Sequence, residues 1–140
     1  MIVDGQPVWF GCDVGKSFDG KLGILDMNIH DLALVYGTEF AADKADRIEY
    51  GQSVMTHAMV LTGVDLDGEN QPMRWRVENS WGDENGDKGF LTMTDRWFEE
   101  YNFEVLVDKR FLPAELLPLL EEAPVVLPPW DPMGALAAAE

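Results

Sequence analysis

The clearest pattern of apolar and polar positions lies in the middle of the chain. Residues 55–66, MTHAMVLTGVDL, are almost continuously apolar, which favours a largely buried strand. Residues 65–72 supply a polar turn, and residues 74–81, RWRVENSW, alternate with a period of two. One face of this second strand would carry Trp75, Val77, Asn79 and Trp81. The two segments therefore predict a β-hairpin with an asparagine on its core face.

The segments before this hairpin predict one strand and short helices. Residues 8–14, VWFGCDV, are typical of a strand that ends in a glycine-punctuated loop, so Cys12 would lie on or beside a strand. Residues 26–36 are expected to form a short helix or an irregular segment. Residues 41–52 have helical polar character, and Gly51 would stop that helix.

The segments after the hairpin predict further short elements. Residues 89–94 favour a strand that leads into a helix over residues 95–101, for which Thr94 is a suitable N-cap. Residues 103–108 alternate as in a strand, and residues 113–122 predict a short amphipathic helix with a proline in its first turn. Together these elements predict the α+β class, with an antiparallel, barrel-like sheet and short helices.

Residues 123–140 differ from the rest of the chain. Six of the eight prolines fall in this segment or just before it, which favours an extended, polyproline-like arm. The apolar run Val125–Leu127 and Trp130 are expected to tie the arm to the domain. We therefore predict a β-rich domain over residues 1–122 and an arm over residues 123–140.

Composition and charge narrow the classes of function. With 140 residues and 46% hydrophobic composition, the chain fits one domain plus a tail. No apolar run is long enough to span a membrane, and the start of the chain lacks the pattern of a signal peptide, so a cytoplasmic location is expected. The formal charge of −16, with ten basic residues scattered among 26 acidic ones, disfavours nucleic acid as a partner.

The sequence gives little support for a metal site or for a serine nucleophile. The single cysteine excludes an intrachain disulfide and a Cys-rich zinc site. Residues 83–89, DENGDKG, place their glycine one position late for an EF-hand, and Thr94 stands where the bidentate glutamate is needed. Around Ser53, the sequence GQSVM lacks the second glycine of a nucleophile elbow. We expect no metal and no cofactor.

Two residues of the hairpin are candidates for chemistry. There are two histidines, and His30 lies in a polar loop while His57 lies in the most apolar strand. A buried amide such as that of Asn79 costs about 1–3 kcal/mol unless it finds hydrogen-bond partners. The hairpin brings His57 within reach of Asn79, whose oxygen would accept from one imidazole nitrogen and leave the other free. Trp81 would shield that hydrogen bond from water.

Several motifs resemble one enzyme family. The run WRVENSWGDENGDKGFL is similar to the papain-type signature in which an asparagine precedes Ser-Trp-Gly, and MTHAMVLTGV is similar to the strand that bears the catalytic histidine. The segments VWFGCDVGK, GQSVMTHAM and WDPMGALA, in this order along the chain, further resemble the bleomycin hydrolase (aminopeptidase C) family of papain-like cysteine peptidases. The likeness covers nearly the whole chain and corresponds to the C-terminal portion of such enzymes.

The resemblance implies a fold, an activity and a set of roles. It implies the papain-like C-terminal β domain and hydrolysis of N-terminal peptide bonds by a Cys-His-Asn mechanism in the cytosol. His57 would act as the base and Asn79 would orient it, with Trp81 in support. The C-terminal arm would lie in the cleft and position the substrate's N-terminus through Leu136, Ala137 and Glu140, although this arm runs slightly longer than in the family.

The nucleophile of that mechanism is missing from this chain. A papain-type nucleophile follows a glutamine and opens a long helix, whose dipole helps to lower the thiol pKa. Cys12 follows Gly11 in a strand-like segment, and its surroundings resemble a non-catalytic part of the same family. We therefore expect Cys12 to be a buried structural residue and the chain alone to be inactive.

Two hypotheses follow for the function. The first is the C-terminal part of a cysteine aminopeptidase that needs an N-terminal, cysteine-bearing portion and a peptide substrate, in a family that assembles as a hexamer. The second is a non-catalytic module that kept the papain-like fold to bind peptide ends or other subunits. The retention of His57, Asn79 and Trp81 favours the first hypothesis.

Overall fold

The computed structural model describes residues 1–131, which form one sheet and several short helices. The seven strands are β1 (Val8–Cys12), β2 (Phe18–Asp19), β3 (Ile24–Leu25), β4 (His57–Leu66), β5 (Pro72–Glu78), β6 (Phe90–Thr94) and β7 (Asn102–Val105). The α-helices are α1 (Leu32–Tyr36), α2 (Lys44–Glu49) and α3 (Asp95–Tyr101). Short 3₁₀ helices cover Ile2–Asp4, Lys109–Phe111 and Leu117–Glu121.

The strands are ordered β2-β3-β6-β5-β4-β1-β7, in a curled sheet that resembles half a barrel. The predicted α+β class is confirmed. The sheet departs from the predicted antiparallel arrangement at one pair, since β3 and β6 run parallel. A parallel pair needs a long connection, and the chain between these strands contains α1, α2 and the β4–β5 hairpin.

The predicted hairpin forms as β4 and β5. Val77 is fully buried opposite Leu61, whereas Arg74 and Arg76 are exposed, so the alternation along the second strand is confirmed. The buried apolar residues form one cluster on this face of the sheet. Its members are Val8, Phe10, Cys12, Val14, Leu25, Met59, Leu61, Val77, Leu91, Met93, Trp97 and Tyr101.

The helix after the hairpin has the predicted N-cap, and the helix before it stops next to the predicted glycine. Thr94 accepts a hydrogen bond from the backbone amide of Trp97 and so begins α3 as predicted. Helix α2 ends at Glu49, and Gly51 follows in the left-handed conformation. Arg47 of α2 forms an ion pair with Glu100 of α3, which joins the two helices. Within residues 1–131, no helix has the length and apolar character that crossing a membrane requires.

The predictions for the C-terminal segment need correction. The expected amphipathic helix is a 3₁₀ helix over Leu117–Glu121 with no buried residue, because Pro118 at its start lacks a backbone donor and shortens the helical run. Val125, Val126 and Trp130 are 86%, 88% and 84% exposed, so their predicted anchoring role is wrong for the part of the chain that is described. The boundary between residues 122 and 123 stays a prediction.

Candidate active site

His57 is the first residue of β4, where that strand meets β1. Its backbone pairs with Cys12, the last residue of β1, and its side chain is half-buried. Met59 and Leu61 follow it on the same face and are almost completely buried. The apolar strand therefore holds the imidazole at the edge of the core, with part of the ring accessible.

Asn79 directly follows β5 and reaches His57 across the hairpin. The last residues paired between the two strands are Val60 and Glu78, so the asparagine lies just beyond the ladder. Its backbone amide donates to the carbonyl oxygen of Gly89, which fixes the chain after the strand ends. The side-chain oxygen of Asn79 lies 2.8 Å from Nε2 of His57.

The protonation of the imidazole follows from the second partner of that oxygen. The backbone amide of Ser80 donates to the same Asn79 atom at 2.8 Å, so this atom must be the acceptor oxygen and not the amide nitrogen. His57 Nε2 is therefore the donor, and in the neutral ring Nδ1 carries the lone pair. Among residues 1–131 the structure shows no hydrogen bond to Nδ1, which leaves that nitrogen available for proton transfer.

Trp81 covers one face of the imidazole. The two ring centroids are 4.6 Å apart with 33° between the planes, and the indole is itself 45% exposed. Phe18 of β2 lies on the indole with a centroid distance of 6.1 Å. Phe18 was not predicted at the site, because a phenylalanine in a glycine-punctuated segment carries no sequence signal that it will reach another element.

The amide nitrogen of Asn79 is buried and has no hydrogen-bond partner among the described residues. Burying such a donor without an acceptor is unfavourable by about 1–3 kcal/mol. The side chain of Asn79 thus has two hydrogen bonds at its oxygen and an unpaired donor at its nitrogen. An unpaired buried donor is rare in folded proteins and calls for a physical explanation.

Cys12 lies beside His57 in the sheet, but its environment is apolar. It is completely buried, and burial, with a smaller contribution from the charge of Asp13, raises the pKa of its thiol from 9.0 to about 12. A nucleophilic cysteine needs the opposite shift. The structure therefore supports the expectation that Cys12 is structural.

The other predicted residues lie apart from this arrangement. His30 is exposed in the loop before α1, as predicted. Leu136, Ala137 and Glu140 lie outside the described residues. Within residues 1–131, no three His, Cys, Asp or Glu side chains are grouped in a way that would hold a metal ion.

Comparison with known proteins relates this geometry to a family. A family model described as the Peptidase C1-like family matches residues 1–134. The chain is 57% identical to bleomycin hydrolase of Rattus norvegicus over 139 residues, which is 97% of this chain and 31% of that protein. It is 50% identical to aminopeptidase C of Streptococcus thermophilus over 134 residues, which is 96% of this chain and 30% of that protein.

A solved structure gives the same result for the fold. The crystal structure of PepW from Lactobacillus rhamnosis superposes with a TM-score of 0.89 at 50% identity, covering 95% of this chain and 30% of that one. The chain thus spans about a third of the length of the relatives it matches, and it corresponds to their C-terminal portion. The likeness to cysteine peptidases inferred from the motifs is confirmed, and the chain belongs to the Peptidase C1-like family.

Proposed function

We propose that this chain is the C-terminal portion of a cytoplasmic cysteine aminopeptidase and supplies the base and its orienting amide. The observation that carries the proposal is the 2.8 Å hydrogen bond from His57 Nε2 to the Asn79 oxygen beneath the Trp81 ring. A plain core histidine does not need a buried amide that leaves its own nitrogen unpaired. The substrate class follows from the relatives named aminopeptidase C.

The proposed reaction uses the free nitrogen of His57. Nδ1 takes the proton of a cysteine thiol, and the thiolate attacks the carbonyl carbon of the first peptide bond. The imidazolium then protonates the amine as the carbon–nitrogen bond breaks. A water molecule, deprotonated by Nδ1, hydrolyses the thioester and restores the thiol. Asn79 holds the ring in one orientation through all steps, since its oxygen accepts from Nε2–H.

The thiol must come from a different portion of the enzyme. The thiol of Cys12 is completely buried and stays protonated at neutral pH, because its pKa is raised to about 12. We propose an N-terminal, cysteine-bearing portion as the partner, with the chain alone inactive. Its apolar surface supports this view, since every apolar side chain of α1 is partly or largely exposed, with Leu34 at 79%.

The proposed role of the arm concerns residues beyond the described part. We propose that Leu136, Ala137 and Glu140 help to position the free N-terminus of the peptide substrate, as the resemblance implies. We also propose that the complete enzyme forms a homo-oligomer, a hexamer in the family it resembles. Light scattering on the complete assembly would measure its mass.

A chimera tests the proposed function. This chain would replace the matching C-terminal segment of rat bleomycin hydrolase, to which it is 57% identical. We expect hydrolysis of an aminoacyl fluorophore by the chimera and none by the isolated chain. His57→Ala should lower kcat/KM by at least about 10²-fold, the range for removal of a general acid and base.

His30→Ala is the matched control, since His30 is the other histidine and is exposed. It should leave kcat/KM unchanged. If His57→Ala and His30→Ala had the same effect, the catalytic assignment would be wrong. A folded chimera without activity would instead favour the second hypothesis, a module that binds peptide ends or subunits without catalysis.

A further inference from the structure

We infer that Asp13 and Ser53 form a buried clamp that positions His57 for its reaction. The inference deepens the proposed function, because it names positioning residues for the same site. Neither residue lies in the hairpin that carries His57 and Asn79. Ser53 lies in the segment that leads into β4, and Asp13 accepts hydrogen bonds from that segment.

The clamp is a hydrogen bond between two buried polar side chains. Asp13 is 5% exposed and Ser53 is 4% exposed, and they are the buried polar or charged residues of the described chain. The hydroxyl of Ser53 donates to Oδ2 of Asp13 at 2.9 Å, and the backbone amide of Val54 points to the same oxygen at 3.4 Å. A carboxylate kept in an apolar interior requires such donors, so the pairing is specific.

The clamp closes on the segment just before the histidine. The amide of Thr56 donates to the carbonyl oxygen of Cys12 at 3.0 Å, which continues the attachment begun by Ser53 and Val54. On the other side, the amide of Ser53 donates to the carbonyl oxygen of Arg47 near the end of α2. Residues 53–56 are therefore held between α2 and the end of β1, and His57 is the next residue.

Strand register explains why this attachment matters for the site. His57 pairs with Cys12 at the very end of the β1–β4 ladder, where strand pairing frays most easily. A slip of one residue would turn His57 to the other face of the sheet, away from Asn79. The bonds from Asp13 and Cys12 to residues 53–56 fix the register at this end. They therefore hold the imidazole opposite its amide partner.

Solution NMR of the full 140-residue chain tests the clamp without any catalysis. The readout is the solvent exchange of the His57 Nε2 proton, which the hydrogen bond to Asn79 protects. His30 serves as the internal reference because it is exposed. In Asp13→Asn and in the milder Ser53→Ala, exchange should accelerate at least about tenfold, the factor for loss of one hydrogen bond to a charged group.

Val8→Ala is the control for a general loss of stability. Val8 is buried in β1, the strand that Asp13 follows, but it pairs with Leu61 at the opposite end of the β1–β4 ladder. Its truncation should destabilise the fold. After correction for global unfolding, the exchange rate of the His57 Nε2 proton should stay within about twofold of the rate in the unmodified chain. If the clamp variants lowered stability as Val8→Ala does and left this exchange unchanged, the positioning role would be refuted.

The chimera adds a kinetic readout. There, Ser53→Ala should lower kcat with little change in KM, because the imidazole and not the substrate pocket is disturbed. An inactive chimera would contradict the proposed function while the NMR result on the clamp still stood. Normal exchange in the clamp variants would contradict the clamp while the effect of His57→Ala still stood.

Discussion

Alkylation of Cys12 by iodoacetamide at about pH 8 should be at least about fiftyfold slower in the folded chain than in the urea-unfolded chain. The reason is the environment of the thiol at the end of β1. It is completely buried, and burial together with the charge of Asp13 raises its pKa from 9.0 to about 12. The reactive species in alkylation is the thiolate, so the rate depends on how much of it is present.

The magnitude follows from the two pKa values. At about pH 8, a thiol with a pKa of 9.0 is ionised to about one part in ten, and one with a pKa of about 12 to about one part in 10⁴. The ratio of thiolate is therefore about 10³. A more basic thiolate is intrinsically more reactive, by about twentyfold for this difference, which leaves about fiftyfold. Steric exclusion of the reagent from the core slows the reaction further.

Mass spectrometry gives a direct assay, since Cys12 is the one cysteine of the chain. The intact mass would be followed over time in native buffer and in urea. A Cys12→Ser chain should take up no label and reports any reaction elsewhere. A native rate within about tenfold of the rate in urea would refute the buried environment, and with it the physical reason for rejecting Cys12 as the nucleophile.

Three further outcomes follow from the structure. Because the thiol pKa of Cys12 is raised in the folded state, its contribution to the free energy of unfolding is fully present below about pH 9 and is lost as the pH rises towards about 12. The difference in the free energy of unfolding between the unmodified chain and Cys12→Ala should therefore shrink by up to roughly 3 kcal/mol from about pH 8 to about pH 11. Urea melts at the two pH values would measure this difference. In the chimera, Asn79→Ala should lower kcat/KM by about tenfold to a hundredfold, through loss of the bond that orients His57. Gly86→Ala should destabilise the chain by about 1–3 kcal/mol in urea melts, since φ is +60° and a Cβ would meet a backbone oxygen at 2.3 Å. Gly15→Ala is the control, because its added Cβ meets open space, and it should change stability by less than about 0.5 kcal/mol.

The hairpin and the contact between His57 and Asn79 could be predicted from the sequence. The alternation of residues 74–81 placed the asparagine on the core face, and the polar turn made the two strands neighbours. These are local patterns, and the structure confirms the hydrogen bond they indicate. The catalytic use of that bond is a chemical question that neither alternation nor pairing answers.

Long-range arrangement could not be predicted in the same way. Strands β2 and β3 have two residues each, too few to show a period, so the parallel pair and the contact of Phe18 with Trp81 had no local signal. The buried clamp was missed because a serine and an aspartate far apart in the chain look like ordinary polar residues. At the C-terminal end, composition suggested anchors, but the Trp130 side chain is 84% exposed.

The position of β1 between β4 and β7 has a consequence for the order of folding. The β4–β5 hairpin joins neighbours in the sequence, whereas β1 pairs with residues near 60 and near 104. Contacts of low sequence separation form first, because they close short loops. During synthesis the hairpin can pair His57 with Asn79 before β7 has been made, and β1 gains its second neighbour, β7, only after that. We therefore expect the base and its amide partner to come together before β1 is paired on both of its edges.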